Sequence, residues 1–176
     1  MNKIWMRVLI LLVLFAGAAQ AQDPKSALLD SFHQAASDAD FDGYFSLLSE
    51  NSVFLGTDGE ERWTKEEFMA YVKPHFERGN GWTYVASDRH VTSTAAKDVY
   101  IFDEKLFNEN YGYCRGTGVL VKTQKGLKIA QYNLSIPLPN AIADEVVEQV
   151  LTHMKNKALE KPISSIKKET DVTHGK

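Results

Sequence analysis

The chain has 176 residues, of which 44% are hydrophobic and 24% charged, with a formal net charge of -3. This acidic balance gives no indication of nucleic-acid binding, which needs a basic surface to neutralise phosphates. Cys114 is the only cysteine, which excludes an intrachain disulfide, so the fold must depend on its hydrophobic core.

The first 21 residues predict a signal peptide. Lys3 and Arg7 precede an apolar run at 8–18, and residues 19–21 form a small-x-small cleavage site. The run is short for a membrane span, although an uncleaved anchor is the alternative. We therefore expect a mature chain that starts at Gln22, with 155 residues and a net charge of -5, located in the periplasm or secreted and not attached to a membrane. That length suits one domain.

Two helices are predicted at the start of the mature chain. Asp23 caps the first, with Pro24 at its first position, and Asp40 caps a second, shorter helix. A strand follows at 52–55 and a polar loop at 56–62.

The third helix has the clearest signals. Thr64 and Glu67 form a capping box, and Trp63 can pack on Phe68 as a hydrophobic staple. A stripe of large side chains then continues along one helical face. Its members are Phe68, Tyr71, Val72, His75 and Phe76.

The second half of the mature chain changes to a period of two. Strands are predicted at 82–93, 97–107, 112–123 and 126–136, and their short connections require antiparallel neighbours. Asn140 is predicted to cap a final amphipathic helix. The expected organisation is a domain at 22–140, a helix at 141–160 and a disordered tail at 161–176.

Four segments carry a resemblance to a known family: FLGTDGEERWTKEEF at 54–68, FDE at 102–104, YGYCRGTGVLVK at 111–122 and LKIAQYNLSIPLPN at 127–140. Over most of residues 25–140 the chain resembles the SnoaL-like proteins of the nuclear transport factor 2-like (ketosteroid-isomerase-like) superfamily, in particular their exported bacterial branch. The resemblance implies a cone-shaped α+β barrel, in which a strongly bent, mainly antiparallel sheet wraps around three N-terminal helices and leaves a pocket. The C-terminal helix lies outside the resemblance.

The superfamily includes isomerases, cyclases, dehydratases, epoxide hydrolases and many proteins without a known reaction, so the fold does not decide the function. Ketosteroid-isomerase-like catalysis needs an aspartate base, a tyrosine and a protonated carboxylic acid. Asp58 falls in the segment of the base, but Thr117 stands where the acid would be. Epoxide-hydrolase-like chemistry needs an aspartate two residues after an arginine, and Arg115 is again followed by Thr117. Neither mechanism is expected.

Arg115 is the most conspicuous polar candidate. It lies within a predicted strand among glycines and apolar residues, where a charge needs a partner. A turn at 108–111 would place Asp103 or Glu104 opposite it, depending on the register. It could clamp an anionic or carbonyl-bearing ligand inside the cone, or form a structural salt bridge at the cone mouth or on the outer face.

Two further groups of polar residues have alternative interpretations. Gln131 and Asn133 share a strand face with Ile129, and they either point inward and line a pocket or point outward to solvent or a dimer interface. Asp58 is either a general base at the pocket entrance or a turn residue bonded to its own backbone.

We therefore predict an exported protein that binds a small, partly apolar molecule. Aromatic side chains would enclose it, with His75 among them, and the polar groups above would orient it. The aromatic set is Trp63, Phe68, Tyr71, Phe76, Tyr100 and Phe102. No cofactor or metal is expected, because His33, His90 and His153 lack ligand spacing. The alternatives are a lyase or isomerase with Asp58 as base, and a non-catalytic dimeric interaction module.

Overall fold

A computed structural model describes residues 22–160, with side chains described to residue 157. The signal peptide predicted at 1–21 and the tail predicted at 161–176 lie outside the described residues. Among the helices described, none has the length and apolar character needed to cross a membrane.

The three predicted N-terminal helices are confirmed as α1 (Pro24–Ser37), α2 (Phe41–Ser46) and α3 (Lys65–Phe76). The Asp40 carboxylate accepts the Gly43 N–H at 2.9 Å, which caps α2. At α3 both bonds of the capping box form, from the Thr64 N–H to Glu67 at 2.8 Å and from the Glu67 N–H to the Thr64 hydroxyl at 3.3 Å. These caps satisfy donors that a helix start leaves free.

Six strands form one bent, mixed sheet. They are β1 (Leu48–Leu55), β2 (Arg62–Thr64), β3 (Val85–Ser93), β4 (Val99–Asn108), β5 (Gly112–Thr123) and β6 (Gly126–Ser135), in the spatial order β2-β1-β6-β5-β4-β3. Only β1 and β6 pair in parallel. The mainly antiparallel sheet is confirmed; β2 was not predicted, because its three residues read as the end of a loop.

The register between β4 and β5 overturns the prediction for Arg115. Asn108 pairs with Gly112 across a three-residue loop, and this places Arg115 opposite Lys105. Gly112 has φ 69°, the left-handed conformation that closes such a loop. Arg115 is exposed, and Asp103 and Glu104 pair instead with Thr117 and Gly116. The expected ion pair is therefore wrong.

A β-bulge in β6 decides where the two amides point. Gln131 pairs with Val119, but Ile129 pairs with Leu120, so Ala130 is an extra residue. The bulge lets Ile129 and Tyr132 both lie in the core. Gln131 and Asn133, which alternate with Tyr132, are therefore on the outer face. Their predicted shared face with Ile129 is wrong, and so is the inward alternative.

The helices cover the inner face of the sheet, and aromatic rings fill most of the space between them. The core combines residues of α1, α2 and α3 with inward residues of β1, β4 and β6. Its aromatic members are Phe32, Tyr44, Phe45, Phe54, Phe68, Phe76, Phe102 and Tyr132. These rings occupy space between the helices and the sheet that an open cone would leave to a ligand.

The C-terminal segment begins with a 3-10 turn (Asn140–Ile142) and continues as α4 (Ala143–Glu160). Asn140 does not cap α4 as predicted, because it lies within the 3-10 turn that precedes the helix, and the N-cap of that turn is Pro139. The apolar side chains of α4 from Val147 to Met154 are at least half exposed. Lys157 of α4 approaches Glu60 of the β1–β2 loop at 3.6 Å.

Candidate functional site

A cavity of about 210 Å³ lies between α3, the β1–β2 loop and the segment that leads into β3. We call it the aromatic pocket, because seven of its eleven lining residues are aromatic. The lining consists of Phe54, Gly56, Thr57, Glu61, Trp63, Phe68, Tyr71, Trp82, Tyr84, Tyr111 and Leu134.

One wall of the pocket is a row of nearly parallel rings. Tyr71 stacks on Trp63 with centroids 5.0 Å apart, Trp63 on Phe68 at 5.5 Å, and Phe68 on Phe54 at 3.9 Å. The row continues from Phe54 to the buried Tyr132 at 5.6 Å. The predicted staple between Trp63 and Phe68 is confirmed, so the contact that fixes the start of α3 also builds the pocket wall.

The opposite wall comes from Trp82, Tyr84 and Tyr111. The Trp82 N–H donates to the Ala36 carbonyl at 3.1 Å, which holds this segment against the end of α1. Gly81 permits the approach, because a Cβ there would collide with the Ala36 and Ser37 carbonyl groups. Burial, with smaller effects of Cys114 and Tyr111, raises the pKa of Tyr84 to about 12, so its phenol stays neutral.

Glu61 supplies the charge in the pocket lining. Its carbonyl accepts the Gly56 N–H at 2.9 Å, and its N–H donates to the Asp58 carbonyl at 3.0 Å. The Glu61 Oε2 atom also accepts the Asp58 N–H at 3.1 Å. These bonds close the loop on itself and fix the carboxylate at the pocket rim.

A second polar cluster is buried between α1 and the sheet. The Glu104 carboxylate, in a residue only 1% exposed, receives the Arg89 Nε–H at 2.7 Å and the Tyr132 hydroxyl at 3.1 Å. The Nε2 atom of His33 lies 2.7 Å from the same carboxylate. We call Glu104, Arg89, Tyr132 and His33 the Glu104 cluster.

Arg89 ties this cluster to α1. Its Nη1 donates to the Ser26 carbonyl at 3.0 Å and to the Asp30 carboxylate at 2.6 Å. Its Nη2 atom is buried and has no hydrogen-bond partner within the part of the chain that the structure describes. The guanidinium therefore connects α1 to β4 through two carboxylates.

The ionisation of the cluster follows from these contacts. Burial alone would raise the pKa of Glu104, but the hydrogen bond and charge of His33, together with Arg89, outweigh it and lower the pKa below its usual value. Burial also works against the charged form of Arg89, and the neighbouring carboxylates still raise the pKa of Arg89. Burial, with the Glu104 charge, raises the pKa of Tyr132 well above its ordinary value.

The Glu104 cluster and the aromatic pocket are separate. None of the four cluster residues lines the pocket, although Tyr132 stacks on Phe54, which does. Gly116 lies beneath the cluster, and a Cβ there would be 2.9 Å from Glu104 Oε1 and would also meet the Tyr132 hydroxyl. The cluster is therefore closely packed and supports the fold without contributing a side chain to the pocket lining.

Of the residues predicted to form a site, Trp63, Phe68 and Tyr71 lie together in the aromatic pocket. Phe76 and Phe102 are in the core, and Tyr100 lies near α1 with the Lys25 ammonium 5.1 Å from its ring centre. His75 contacts Tyr71 but is not part of the lining. Asp103 and Arg115 are exposed on the outer face of the sheet, and Glu104 is fully buried.

Asp58 does not adopt the geometry expected of a catalytic base. Its side chain is exposed and accepts the Glu60 N–H at 2.9 Å, which is the bond of a turn-forming aspartate. It lines a wide groove of about 840 Å³ between the loop and α4, not the aromatic pocket. A base must reach the proton that it removes, so the turn interpretation accounts for Asp58.

Eight of the eleven lining residues are not candidates predicted from the sequence, and these include Glu61, Trp82, Tyr84 and Tyr111. Trp82 and Tyr84 are two residues apart in an extended segment, and this spacing places both side chains on one side. That alternation was a usable signal. Glu61 and Tyr111 reach the pocket only through the folding of their loops, which no local pattern indicates.

The comparisons with known proteins agree with this architecture. Solved structures with TM-scores of 0.54 include a protein from Streptomyces avermitilis that is proposed to be a dehydratase of the NTF2-like family. The two sequences are 16% identical, and the alignment covers 65% of this chain and 94% of the Streptomyces chain. These structures also include an NTF2-like protein of unknown function from Pseudomonas putida KT2440, 14% identical, covering 66% and 86%. Such low identities establish the fold alone.

No functionally curated relative matches the sequence. The SnoaL-like domain family matches residues 26–139, which is more than half of the chain. This chain is therefore a member of the SnoaL-like domain family.

Proposed function

We propose that this protein binds a small, partly apolar molecule in the aromatic pocket. The observation that carries the proposal is the cavity of about 210 Å³ lined by seven aromatic side chains and one carboxylate. Aromatic side chains with a few fixed polar groups are the usual composition of small-molecule sites.

The size of the pocket limits its ligand. Pockets for drug-sized molecules occupy roughly 300–1,000 Å³. A cavity of about 210 Å³ suits a single substituted ring or one end of a longer molecule.

Binding accounts for the pocket better than catalysis does. General acid–base chemistry needs a positioned pair of groups with suitable pKa values. Among the residues that line the aromatic pocket, Glu61 is the only carboxylate, and no histidine accompanies it. We therefore do not propose for this chain the dehydratase activity that is suggested for the Streptomyces protein.

Tryptophan emission offers a direct test, because Trp63 and Trp82 both line the pocket. We expect benzyl alcohol, a neutral ring of suitable size, to change the emission of the purified protein in a saturable way. Tyr71→Ala should weaken this binding about tenfold, since the ring forms part of one wall.

Tyr113→Ala is the matched control. Tyr113 is also an exposed tyrosine, 76% accessible, but it lies outside the pocket lining. Its replacement should leave the affinity unchanged. No saturable response to benzyl alcohol, or equal losses in the two variants, would contradict the proposed site.

We also propose that the protein is exported, on the basis of the cleavage signal at 19–21. The mass of the protein recovered from its native host should correspond to a chain that starts at Gln22. A full-length chain retained in the cytosol would contradict this.

A homodimer remains a prediction. The outer sheet face, where Ile101, Phe107 and Tyr113 are exposed, is the surface that we propose for it. Sedimentation of the purified protein, with Ile101→Glu as the disrupting variant, tests this assignment.

A further inference from the structure

The charged side chain that lines the aromatic pocket is negative, and no positive one accompanies it. Glu61 contributes a carboxylate, while no lysine, arginine or histidine is among the eleven residues that line it. A buried charge is costly unless it has a partner of opposite sign. An anionic ligand would therefore enter without a counter-charge, whereas a cationic ligand would find one.

The basic side chains on β2 and at the β1–β2 loop are directed elsewhere or paired with another residue. Arg62 precedes Trp63 on β2, so strand alternation turns it away from the pocket side that Trp63 occupies. Lys157 approaches Glu60, the neighbour of Glu61, at 3.6 Å. Within residues 22–157 no ion pair engages Glu61 itself.

The Glu61 carboxylate is also held in place and has a free acceptor. Oε2 accepts the Asp58 N–H, whereas Oε1 has no hydrogen bond within the described residues. Gly56 lies beneath the side chain, and a Cβ there would come within 3.0 Å of the Glu61 Cδ atom. A fixed carboxylate oxygen at the rim of an apolar pocket can accept a strong hydrogen bond from an N–H cation.

The rest of the lining favours the same kind of ligand. Aromatic rings attract cations through their negative faces, and the pocket is lined by Trp63, Trp82 and three tyrosines. The hydroxyl oxygen of Tyr84 can also accept a hydrogen bond from an N–H cation.

From these observations we propose that the aromatic pocket selects an organic ammonium ion, with Glu61 as its counter-ion and the aromatic rings around its apolar part. This inference rests on the proposed function of the same pocket.

The experiment compares three probes of similar size and different charge on the purified protein. Benzylamine carries a positive charge near neutral pH, benzyl alcohol is neutral and phenylacetate is negative. We expect benzylamine to bind about tenfold more tightly than benzyl alcohol, because a charged hydrogen bond is added, and phenylacetate to bind most weakly. The preference should decrease with added salt.

Glu61→Gln should reduce benzylamine affinity about tenfold and leave benzyl alcohol unchanged. Glu60→Gln is the matched control, since it removes the same charge one residue away. The Glu60 side chain lines the groove between the β1–β2 loop and α4, not the aromatic pocket. This replacement should alter neither affinity.

The outcomes separate the two proposals. If benzyl alcohol binds but benzylamine binds no tighter, or if phenylacetate binds best, the ammonium assignment is overturned and the pocket stands. Equal effects of Glu60→Gln and Glu61→Gln would also overturn it, because the charge would then act only at long range. If none of the probes binds, both the ammonium assignment and the proposed function are wrong.

Discussion

Glu104 is a buried carboxylate that interacts with several charged and polar side chains at once. A fully buried carboxylate needs several partners to remain ionised, and Glu104 has a guanidinium, an imidazole and a phenol within hydrogen-bond distance. These partners come from α1, β3 and β6. The charge therefore links one helix to three strands, since Glu104 itself belongs to β4.

Glu104→Gln should lower the free energy of unfolding by about 3 kcal/mol at neutral pH, because Arg89 would lose its buried counter-charge. Urea titration of both proteins measures this loss. Glu109→Gln, an exposed loop variant, is the control and should change stability by less than about 0.5 kcal/mol.

The same variant should flatten the acid limb of the stability curve. The pKa of Glu104 is lower in the folded protein than its ordinary value of 4.5, so its charge stabilises the fold above pH 4.5. This contribution is lost as the pH falls from 4.5 through the folded pKa. The stability of the unmodified protein should therefore decrease more steeply below pH 4.5 than that of Glu104→Gln. Parallel curves would argue against a paired carboxylate.

At the scale of elements, the residues at the start of α3 both cap the helix and form part of a pocket wall. The Thr64 hydroxyl accepts the Glu67 N–H, and the residue before Thr64, Trp63, belongs to the row of rings that lines the pocket. Thr64→Ala should reduce stability by about 1 kcal/mol, the usual cost of losing an N-cap. Thr64→Ser keeps the hydroxyl and should restore most of it. Thermal unfolding of the three proteins distinguishes these cases, and an equal loss in both variants would rule out the cap as the cause.

Elements with local signals could be predicted from the sequence. The caps at Asp40 and Thr64 were recognised because their hydrogen bonds span only three residues. The antiparallel hairpins were recognised because their loops are short. The family resemblance supplied the bent sheet, which local patterns do not encode.

The site could be predicted only in part, because its details depend on register and on distant contacts. One extra residue, Ala130, reverses the alternation in β6 and moves Gln131 to the outer face. Glu104 was considered a partner for Arg115, but its partners are Arg89 and His33, which lies 71 residues away in sequence. No pattern within a strand indicates a contact at that separation.

At the scale of the whole molecule, α4 is an appendage to the domain. Its apolar side chains from Val147 to Met154 are at least half exposed, although Val146 is partly buried, and its approach to the β1–β2 loop includes an exposed ion pair, Lys157 with Glu60. Exposed pairs of this kind contribute about 0–1 kcal/mol.

Removal of residues 141–176 should therefore change the free energy of unfolding by no more than about 1 kcal/mol. Urea titration of the truncated and full chains measures the difference. A loss of about 3 kcal/mol or more would mean that α4 belongs to the folded core.

The central position of β6 has a consequence for how the chain folds. It is the last strand to be synthesised, yet it separates β1 from β5 in the sheet. Until residue 135 is available, β1 and β2 can form only a small ribbon, and the edge of β5 that pairs with β6 lacks its partner. Sheets that depend on such distant pairings form slowly. The six-stranded sheet should thus close only when nearly the whole domain has emerged, a delay that would suit the export proposed above.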